Sequence, residues 1–225
     1  MNDIKEYILN NDITFIVTSP NTRTLSIINL LNELSIKDKY KTILFSLNIS
    51  SNYYLQKLIS FLSSINSNLI TKYFYPCSTI SKKNKDKINR NRFINSIEKV
   101  QNSNILMNCE KYILDKDYID YVLDYLENDV IIIDSFYELL DKTKYSLDEI
   151  KKRVNKRKNV HLVIFIRTRY KKKVIREFNN KKQNYIFIDG YNYLEYKDIN
   201  INILNKTIKL RLNKLNQIME EINEG

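Results

Sequence analysis

Short apolar runs alternate along the chain with stretches in which apolar residues recur at helical spacing. Runs rich in β-branched and aromatic residues favour buried strands, whereas amphipathic stretches favour helices. The runs that predict strands are 13–17, 42–47, 104–107, 129–134, 160–166 and 185–189. The stretches that predict helices are 25–34, 53–65, 93–100, 117–126, 147–154 and 203–222.

The central strand candidates are apolar without the alternation of a sheet that has one wet face, which is typical of parallel strands covered on both sides. We therefore predict an α/β fold with a mainly parallel central sheet and helices on both faces. The whole chain, 1–225, is expected to be one domain, with a basic insertion or loop at 80–92 and a C-terminal helix at 203–222. Gly190 is interpreted as a turn, followed by a partner strand over 191–196.

Composition adds a strong positive charge, since 37 Lys and Arg face 26 Asp and Glu, for a net charge of +11. Part of this excess is explained by AT-rich coding, which favours Asn, Ile, Lys and Tyr; if the charge is functional, nucleic acid is the natural partner. The chain has no apolar run of the roughly 18 residues that a membrane span needs and no signal-peptide pattern. We therefore expect a cytoplasmic protein without a membrane partner.

Two cysteines, Cys77 and Cys109, are too few for a disulfide scaffold or a zinc site. His161 opens an apolar strand and is interpreted as structural. No metal site is predicted from these residue types.

Candidate chemistry lies at predicted strand ends, where ligands bind in open α/β sheets. Residues 17–24 can be aligned with a phosphate-binding loop, with Arg23 at the lysine position and Thr24 at the magnesium-ligand position. Both loop glycines are replaced, by Val17 and Thr22, so a plain polar turn is an open alternative. Asp134 ends a buried strand, as a Walker B aspartate does, and could equally be a turn or cap residue.

Residues 45–50, Phe-Ser-Leu-Asn-Ile-Ser, follow a predicted strand and resemble the Phe-Ser-Leu-Glu-Met-Ser pattern of the RecA-like motor domain of DnaB-type replicative helicases. The following order of a helix, a short strand, a helix and a strand ending in Asp134 also resembles that family, as does the segment 134–139. The resemblance covers about residues 10–170 and implies a RecA-like P-loop NTPase architecture.

The departures from the family pattern lie in its nucleotide site. The position of the catalytic glutamate is Asn48, which cannot accept a proton from water, and the position of the sensor glutamine is Arg167. The resemblance therefore implies a vestigial nucleotide and magnesium site made of Arg23, Thr24 and Asp134, with Asn48 and Arg167. We predict no catalytic residue and no cofactor; the alternative is that ATP and magnesium still bind.

A dense basic stretch at 151–182 is the predicted nucleic-acid surface, with a solvated helix face as the open alternative. The candidate contacts are Lys151, Lys152, Arg153, Arg157, Arg169, Tyr170, Lys171, Lys172 and Lys173. The partners expected are DNA, single-stranded rather than double-stranded, together with a replicative helicase or other replication protein, or further copies of the chain.

These observations favour a catalytically degenerate, DnaB-helicase-like accessory that binds DNA or a helicase in the replication of a mobile element, phage or plasmid. Two alternatives stay open. One is an active ATP-dependent helicase of the DnaB type, and the other is a basic α/β nucleic-acid-binding scaffold unrelated to helicases.

Overall fold

The computed structural model describes residues 2–74, 84–109, 116–124, 127, 129–134, 136–157, 159–167, 184–192, 196–203, 206–213 and 219–221. The helices in these ranges are α1 (Asn2–Leu9), α2 (Pro20–Leu31), α3 (Ser51–Ser63), α4 (Ser67–Phe74), α5 (Asn84–Gln101), α6 (Lys116–Asp124), α7 (Phe136–Thr143) and α8 (Leu147–Asn155). A π-helical segment over Asn32–Lys37, the π turn, continues α2.

The strands are β1 (Ile13–Thr18), β2 (Thr42–Phe45), β3 (Ile105–Asn108), β4 (Val130–Ile133), β5 (His161–Arg167), β6 (Asn184–Asn192), β7 (Tyr196–Ile203), β8 (Lys206–Asn213) and β9 (Met219–Glu221). In the described part of the chain they form one sheet in the order β3-β2-β4-β5-β1-β6-β7-β8-β9. The strands from β3 to β6 in this order are parallel, and β7, β8 and β9 add antiparallel strands to β6. The predicted α/β fold with a mainly parallel sheet is confirmed.

Successive residues of the central strands face opposite sides of the sheet, as the pleat requires. In β1, Ile16 packs among residues of α1, α2 and α3, whereas Phe15 and Val17 pack among residues of α6, α7 and α8. Both faces are therefore covered by helices, which explains why the central strands are apolar throughout. A smaller apolar cluster joins α3, α4 and α5.

Three sequence predictions are corrected. The C-terminal helix over 203–222 is wrong, because the structure has β8 and β9 in this region. Residues Ile208 and Leu212 fit helical spacing, but Ile208, Leu210 and Leu212 also alternate with polar residues, and this period of two is the one that pairs with β7.

Gly190 does not make a turn; it lies inside β6 opposite Ile199 of β7. The basic segment 80–92 is not a loop over its described part, because α5 already begins at Asn84. Its charged residues continue the helix of which Phe93 is a buried member. Within the described ranges, no helix combines the length and the apolar character needed to cross a membrane.

Candidate functional site

Polar side chains from four neighbouring parallel strands meet at the carboxyl edge of the sheet. Ser46 follows β2, Asp134 follows β4, Arg167 ends β5, and Arg23 lies in the first turn of α2 after β1. The strand register places Thr18 of β1 opposite Arg167, and the backbone N–H of Asp134 donates to the carbonyl of Phe45 at 2.8 Å. The fold thus brings Arg23, Asp134 and Arg167 to one edge, as the sequence predicted.

The centre of this site is a buried ion pair. Arg23 Nε lies 2.7 Å from Asp134 Oδ1, and the two side chains are 4% and 0% exposed. The distance is that of an ion pair, but the N–H does not point at the oxygen, so neither atom makes a hydrogen bond, and Arg23 Nη1 has no hydrogen-bond partner in the described part of the chain. Charge attraction in a low-dielectric interior, rather than an aligned hydrogen bond, therefore holds the two groups together.

The other carboxylate oxygen of Asp134 accepts two hydrogen bonds. The Tyr54 hydroxyl donates to Oδ2 at 2.6 Å and the Ser46 hydroxyl donates to it at 2.9 Å. Burial raises the pKa of the Asp134 carboxyl, while the charge of Arg23, these two hydrogen bonds and the charge of Arg167 oppose the rise. Burial also raises the pKa of Tyr54, so this residue acts as a hydrogen-bond donor.

The connection from β1 to α2 is a single residue, Ser19. The strand ends at Thr18 and the helix begins at Pro20, with the backbone N–H groups of Thr22 and Arg23 donating to the Ser19 carbonyl at 3.1 and 3.0 Å. The Thr18 hydroxyl donates to the Thr22 hydroxyl at 2.9 Å. Residues aligned with the phosphate-binding loop therefore form the end of a strand and the first turn of a helix, and their amides are used within that turn.

Two other predicted site residues lie near the edge without joining the Asp134 cluster. Thr24 is half-buried in α2, and no hydrogen bond in the described ranges links it to Asp134. Asn48 is exposed in the bend between β2 and α3. The set predicted from the resemblance is thus divided into a buried pair and peripheral residues.

Arg167 completes the edge on the β5 side. Its Nη2 lies 3.4 Å from Glu138 Oε1 of α7, and its Nε is buried without a hydrogen-bond partner in the described ranges. The Asp134 carboxylate is therefore flanked by two arginines, of which only Arg23 is in contact with it.

Cys109 also belongs to this region. Burial raises the pKa of its thiol to about 11; a hydrogen bond with Ser51 opposes the rise, and the charge of Asp134 adds to it. Such a thiol is almost entirely protonated at neutral pH and is a poor nucleophile. This agrees with its interpretation as a core residue; Cys77 lies outside the described residues.

Sequence reasoning missed Tyr54, which it assigned only to the apolar side of a helix, and the side-chain role of Ser46. Both contact Asp134 across about 80 or more residues of sequence, with separations of 80 and 88. The available signal was a polar hydroxyl on a helix face that is otherwise buried, because such a group requires a partner.

The described part of the predicted nucleic-acid surface lies on α8. Arg153 bridges Asp120, at 2.9 Å, and Asp124 of α6, and its guanidinium stacks over the Tyr145 ring. The Tyr145 hydroxyl in turn donates to Asp120. Arg153 therefore links two helices within the protein.

Arg157 has a comparable internal role. Its Nη1 donates to the carbonyls of Val122 and Leu123 at 3.0 and 3.2 Å, which satisfies groups at the C-terminal end of α6. Lys151 is half-buried and Lys152 is exposed. The remaining candidates, Arg169, Tyr170, Lys171, Lys172 and Lys173, lie outside the described residues.

Across the described ranges, no three His, Cys, Asp or Glu side chains are grouped so that they could hold a metal ion. At the sheet edge, Asp134 is the only carboxylate in contact with Arg23 among the described residues. Both Asp134 oxygens face protein donors or a cation.

Comparisons with known proteins find similarity in structure and not in sequence. No family model matches the chain, and no curated protein matches it in sequence. The solved ATPase domain of one DnaB-like helicase superposes with a TM-score of 0.64 at 14% identity, covering 94% of this chain and 85% of that one.

Two other solved structures are similar. A DnaB-like replicative helicase, solved in a study of its interactions with primase, gives a TM-score of 0.65 at 14% identity, and the match covers 94% of this chain but only 59% of that one. The flagellar accessory protein FlaH from Methanocaldococcus jannaschii gives 0.57 at 14% identity, covering 97% and 95%. The chain therefore has the RecA-like fold found in the ATPase domains of DnaB-like helicases.

Proposed function

We propose that this chain, a RecA-like domain of the DnaB type by fold, is a catalytically degenerate relative of helicase motors that acts by binding single-stranded DNA or a replication protein. The observation that carries the proposal is the buried Arg23–Asp134 ion pair. In a working motor of this fold the lysine position holds phosphate and the aspartate holds magnesium. Here the two side chains neutralise each other.

A magnesium nucleotide does not fit this arrangement for two reasons. Asp134 would have to release Arg23 and two hydroxyl donors before it could reach a metal-bound water. The β1–α2 connection has one residue, Ser19, so there is no loop of free amides to surround a phosphate. Asn48 at the position of the general base adds a third obstacle, because an amide cannot take a proton from water.

The setting we propose is the replication of a mobile element, phage or plasmid, with DNA and a replicative helicase or primase-type protein as the partners. The support is the resemblance to DnaB-type motors together with the net charge of +11. A chain with this fold and no turnover would serve through its surfaces, including surfaces that bind further copies of itself.

The direct test is thermal unfolding with millimolar Mg-ATP, with and without single-stranded DNA, together with an assay of phosphate release. A ligand at about 100 times its Kd stabilises a protein by about 2.7 kcal/mol, which corresponds to a Tm rise of roughly 5–10 °C for a domain of this size. We expect no saturable rise and no phosphate release. Sodium tripolyphosphate at equal ionic strength is the control for a general anion effect.

A saturable rise in Tm with Mg-ATP, accompanied by phosphate release that DNA stimulates, would contradict the proposal. The active-helicase alternative would then hold. In that case the Arg23–Asp134 pair would have to open when nucleotide binds.

A further inference from the structure

A groove of about 650 Å³ lies on the α2–α3 side of the sheet, away from α6, α7 and α8. Its walls come from the π turn, the C-terminal part of α3 and the second half of α5. This volume is in the range of ligand-binding clefts. The groove is separate from the Arg23–Asp134 edge, and none of that edge's residues lines it.

The lining combines cations and amides over a small apolar floor. Its polar residues are Lys37, Lys39 and Lys99, the amides of Asn32, Asn95 and Asn102, and one carboxylate, Glu98; Ile36 and Leu62 supply the apolar part. Three ammonium groups therefore face one carboxylate. Most of these polar side chains are exposed, so the groove is open to solvent along its length.

The π turn is what sets one wall. Its wider turn replaces the usual spacing with hydrogen bonds from residue i+5 to residue i, as in the bond from the Asp38 N–H to the Glu33 carbonyl at 3.2 Å. Asn32 and Lys37, five residues apart, consequently line the same groove. Lys37 is steadied by an ion pair with Glu33 at 2.8 Å.

Lys39 is held at the rim by an unusual backbone. Its φ is 65°, a left-handed conformation that is uncommon for a residue other than glycine, and its carbonyl accepts a hydrogen bond from Asn104 Nδ2 at 3.2 Å. Neither Lys39 nor Lys99 has an ion-pair partner within the described part of the chain. Their charges are therefore available to a ligand.

We propose that this groove binds the backbone of single-stranded DNA. Lys39 and Lys99, with Lys37, contact phosphates, and the asparagine amides contact base edges, which are accessible in an unpaired strand. Exposed cations along an open groove suit a continuous chain better than an enclosed small molecule. The inference rests on the proposed function, and it moves the DNA surface from α8, where Arg153 and Arg157 bind protein groups, to the opposite side of the sheet.

The test is fluorescence anisotropy of a labelled single-stranded oligonucleotide with the full chain at several salt concentrations. Lys39→Gln/Lys99→Gln removes two phosphate contacts, and each contact contributes about 0.7 to the log–log salt slope on single strands. We expect the slope to fall by about 1.4 and the affinity by about 25-fold at roughly 0.1 M salt. Double-stranded competitor should displace the oligonucleotide poorly.

The matched control is Lys144→Gln/Lys156→Gln, which removes the same charge from exposed positions away from the groove; Lys144 has a left-handed backbone like Lys39, with φ 59°. This variant should bind nearly as the wild type does. Glu98→Gln should bind tighter, by about three-fold, because a repelling charge about 6 Å from a phosphate is removed. A gain of binding cannot result from misfolding.

The inference is overturned if the groove variant binds within two-fold of its control, or if Lys151→Gln/Lys152→Gln lowers binding while the groove variant does not. It is also overturned if the wild-type chain binds no single-stranded DNA. The first two results leave the proposed degeneracy of the nucleotide site intact, since that is decided by Mg-ATP and phosphate release.

Discussion

At the scale of single residues, the Asp134 carboxylate is stabilised by partners that come from three other segments of the chain. Arg23 compensates its charge, and the hydroxyls of Tyr54 and Ser46 satisfy one of its oxygens. A buried ion pair of this kind contributes little relative to an apolar pair, but breaking it leaves one uncompensated charge in the interior. The cluster is consequently sensitive to the loss of either charged residue.

Asp134→Ala should therefore lower the free energy of unfolding by about 3–5 kcal/mol, because Arg23 stays buried without its counter-charge. Urea unfolding followed by circular dichroism measures the change. The double variant Arg23→Met/Asp134→Leu removes both charges and should recover most of the loss. Equal destabilisation in the single and double variants would show that the pair does not account for the effect.

Cys109 offers a test of how closed this region is. In a chain carrying Cys77→Ser, we expect iodoacetamide to label the native protein slowly at pH 8 and faster as the pH approaches about 11, the raised pKa of the thiol. Because the folded pKa lies above the unfolded one, the thiol's contribution to stability is present below the unfolded pKa and is lost as pH rises through 11.

The urea-unfolded chain is the control for this labelling and should react with a pKa near 8.5. Rapid labelling of the native chain at pH 8 would contradict the buried placement of Cys109.

The residues of the site could be predicted only in part. Arg23 and Asp134 were found because each stands directly after an apolar strand, where the sequence itself marks the edge of the sheet. That they would bind each other could not be predicted, since direct pairing depends on the closed β1–α2 connection. Tyr54 and Ser46 depend on contacts distant in sequence, which local pattern does not encode.

At the scale of elements, helix caps show how local sequence fixes boundaries. The Ser146 hydroxyl accepts from the Glu149 N–H at 3.2 Å, and the Ser146 N–H donates to Glu149 Oε2 at 2.7 Å, which is a capping box at the start of α8. Ser50 caps α3 with a single bond from the Tyr53 N–H at 3.3 Å.

We expect Ser146→Ala to lower the free energy of unfolding by about 1 kcal/mol. Ser50→Ala is the comparison at another helix start and should cost less, because it breaks one capping bond instead of two. Urea titration of both variants at neutral pH measures the difference. A larger loss for Ser50→Ala would contradict this ranking.

The same cap predicts a pH dependence. Hydrogen bonds from the Ser146 backbone and side chain lower the pKa of the exposed Glu149 carboxyl. A lowered folded pKa means that the contribution is present above the unfolded value and is lost as pH falls through the folded one. The difference between wild type and Ser146→Ala should therefore shrink as the solution is acidified below the unfolded pKa of glutamate, and a difference independent of pH would contradict it.

Elements were predictable where one period dominated. The strands β1, β2, β4 and β5 are apolar runs that admit no helical alternative of useful length, and each was found. The C-terminal strands were missed because 206–213 satisfies both periods in part, and only pairing with β7 decides between them. Helix α7, after Asp134, is short and was not predicted as a helix at all.

At the scale of the whole molecule, the parallel strands form the centre of the sheet and the antiparallel strands β7, β8 and β9 cover the free edge of β6. Fold class followed from sequence because apolar runs demand cover on both faces. Strand order did not, because it depends on which crossover each helix makes.

Removing residues 196–225 should leave the apolar core, in which Ile186 and Ile188 of β6 are buried, but expose the backbone of β6 along one side. Open strand edges promote association between chains. We expect the truncated chain to keep its helical circular dichroism and to form dimers or larger species in sedimentation velocity, in contrast with the full chain at the same concentration. A truncated chain that sediments as a stable monomer would contradict this expectation.

The single-residue passage at Ser19 has a consequence for any attempt to turn this protein into a motor. Point substitutions that restore a lysine at 23 or a glutamate at 48 would change side chains while the main chain still runs straight from strand into helix. Making room for a triphosphate would require an insertion of several residues, or the unwinding of the first turn of α2, with the register of the helix against its neighbours preserved. Reversal is thus blocked by backbone length, and the route back passes through changes in the number of residues and not only in their identity.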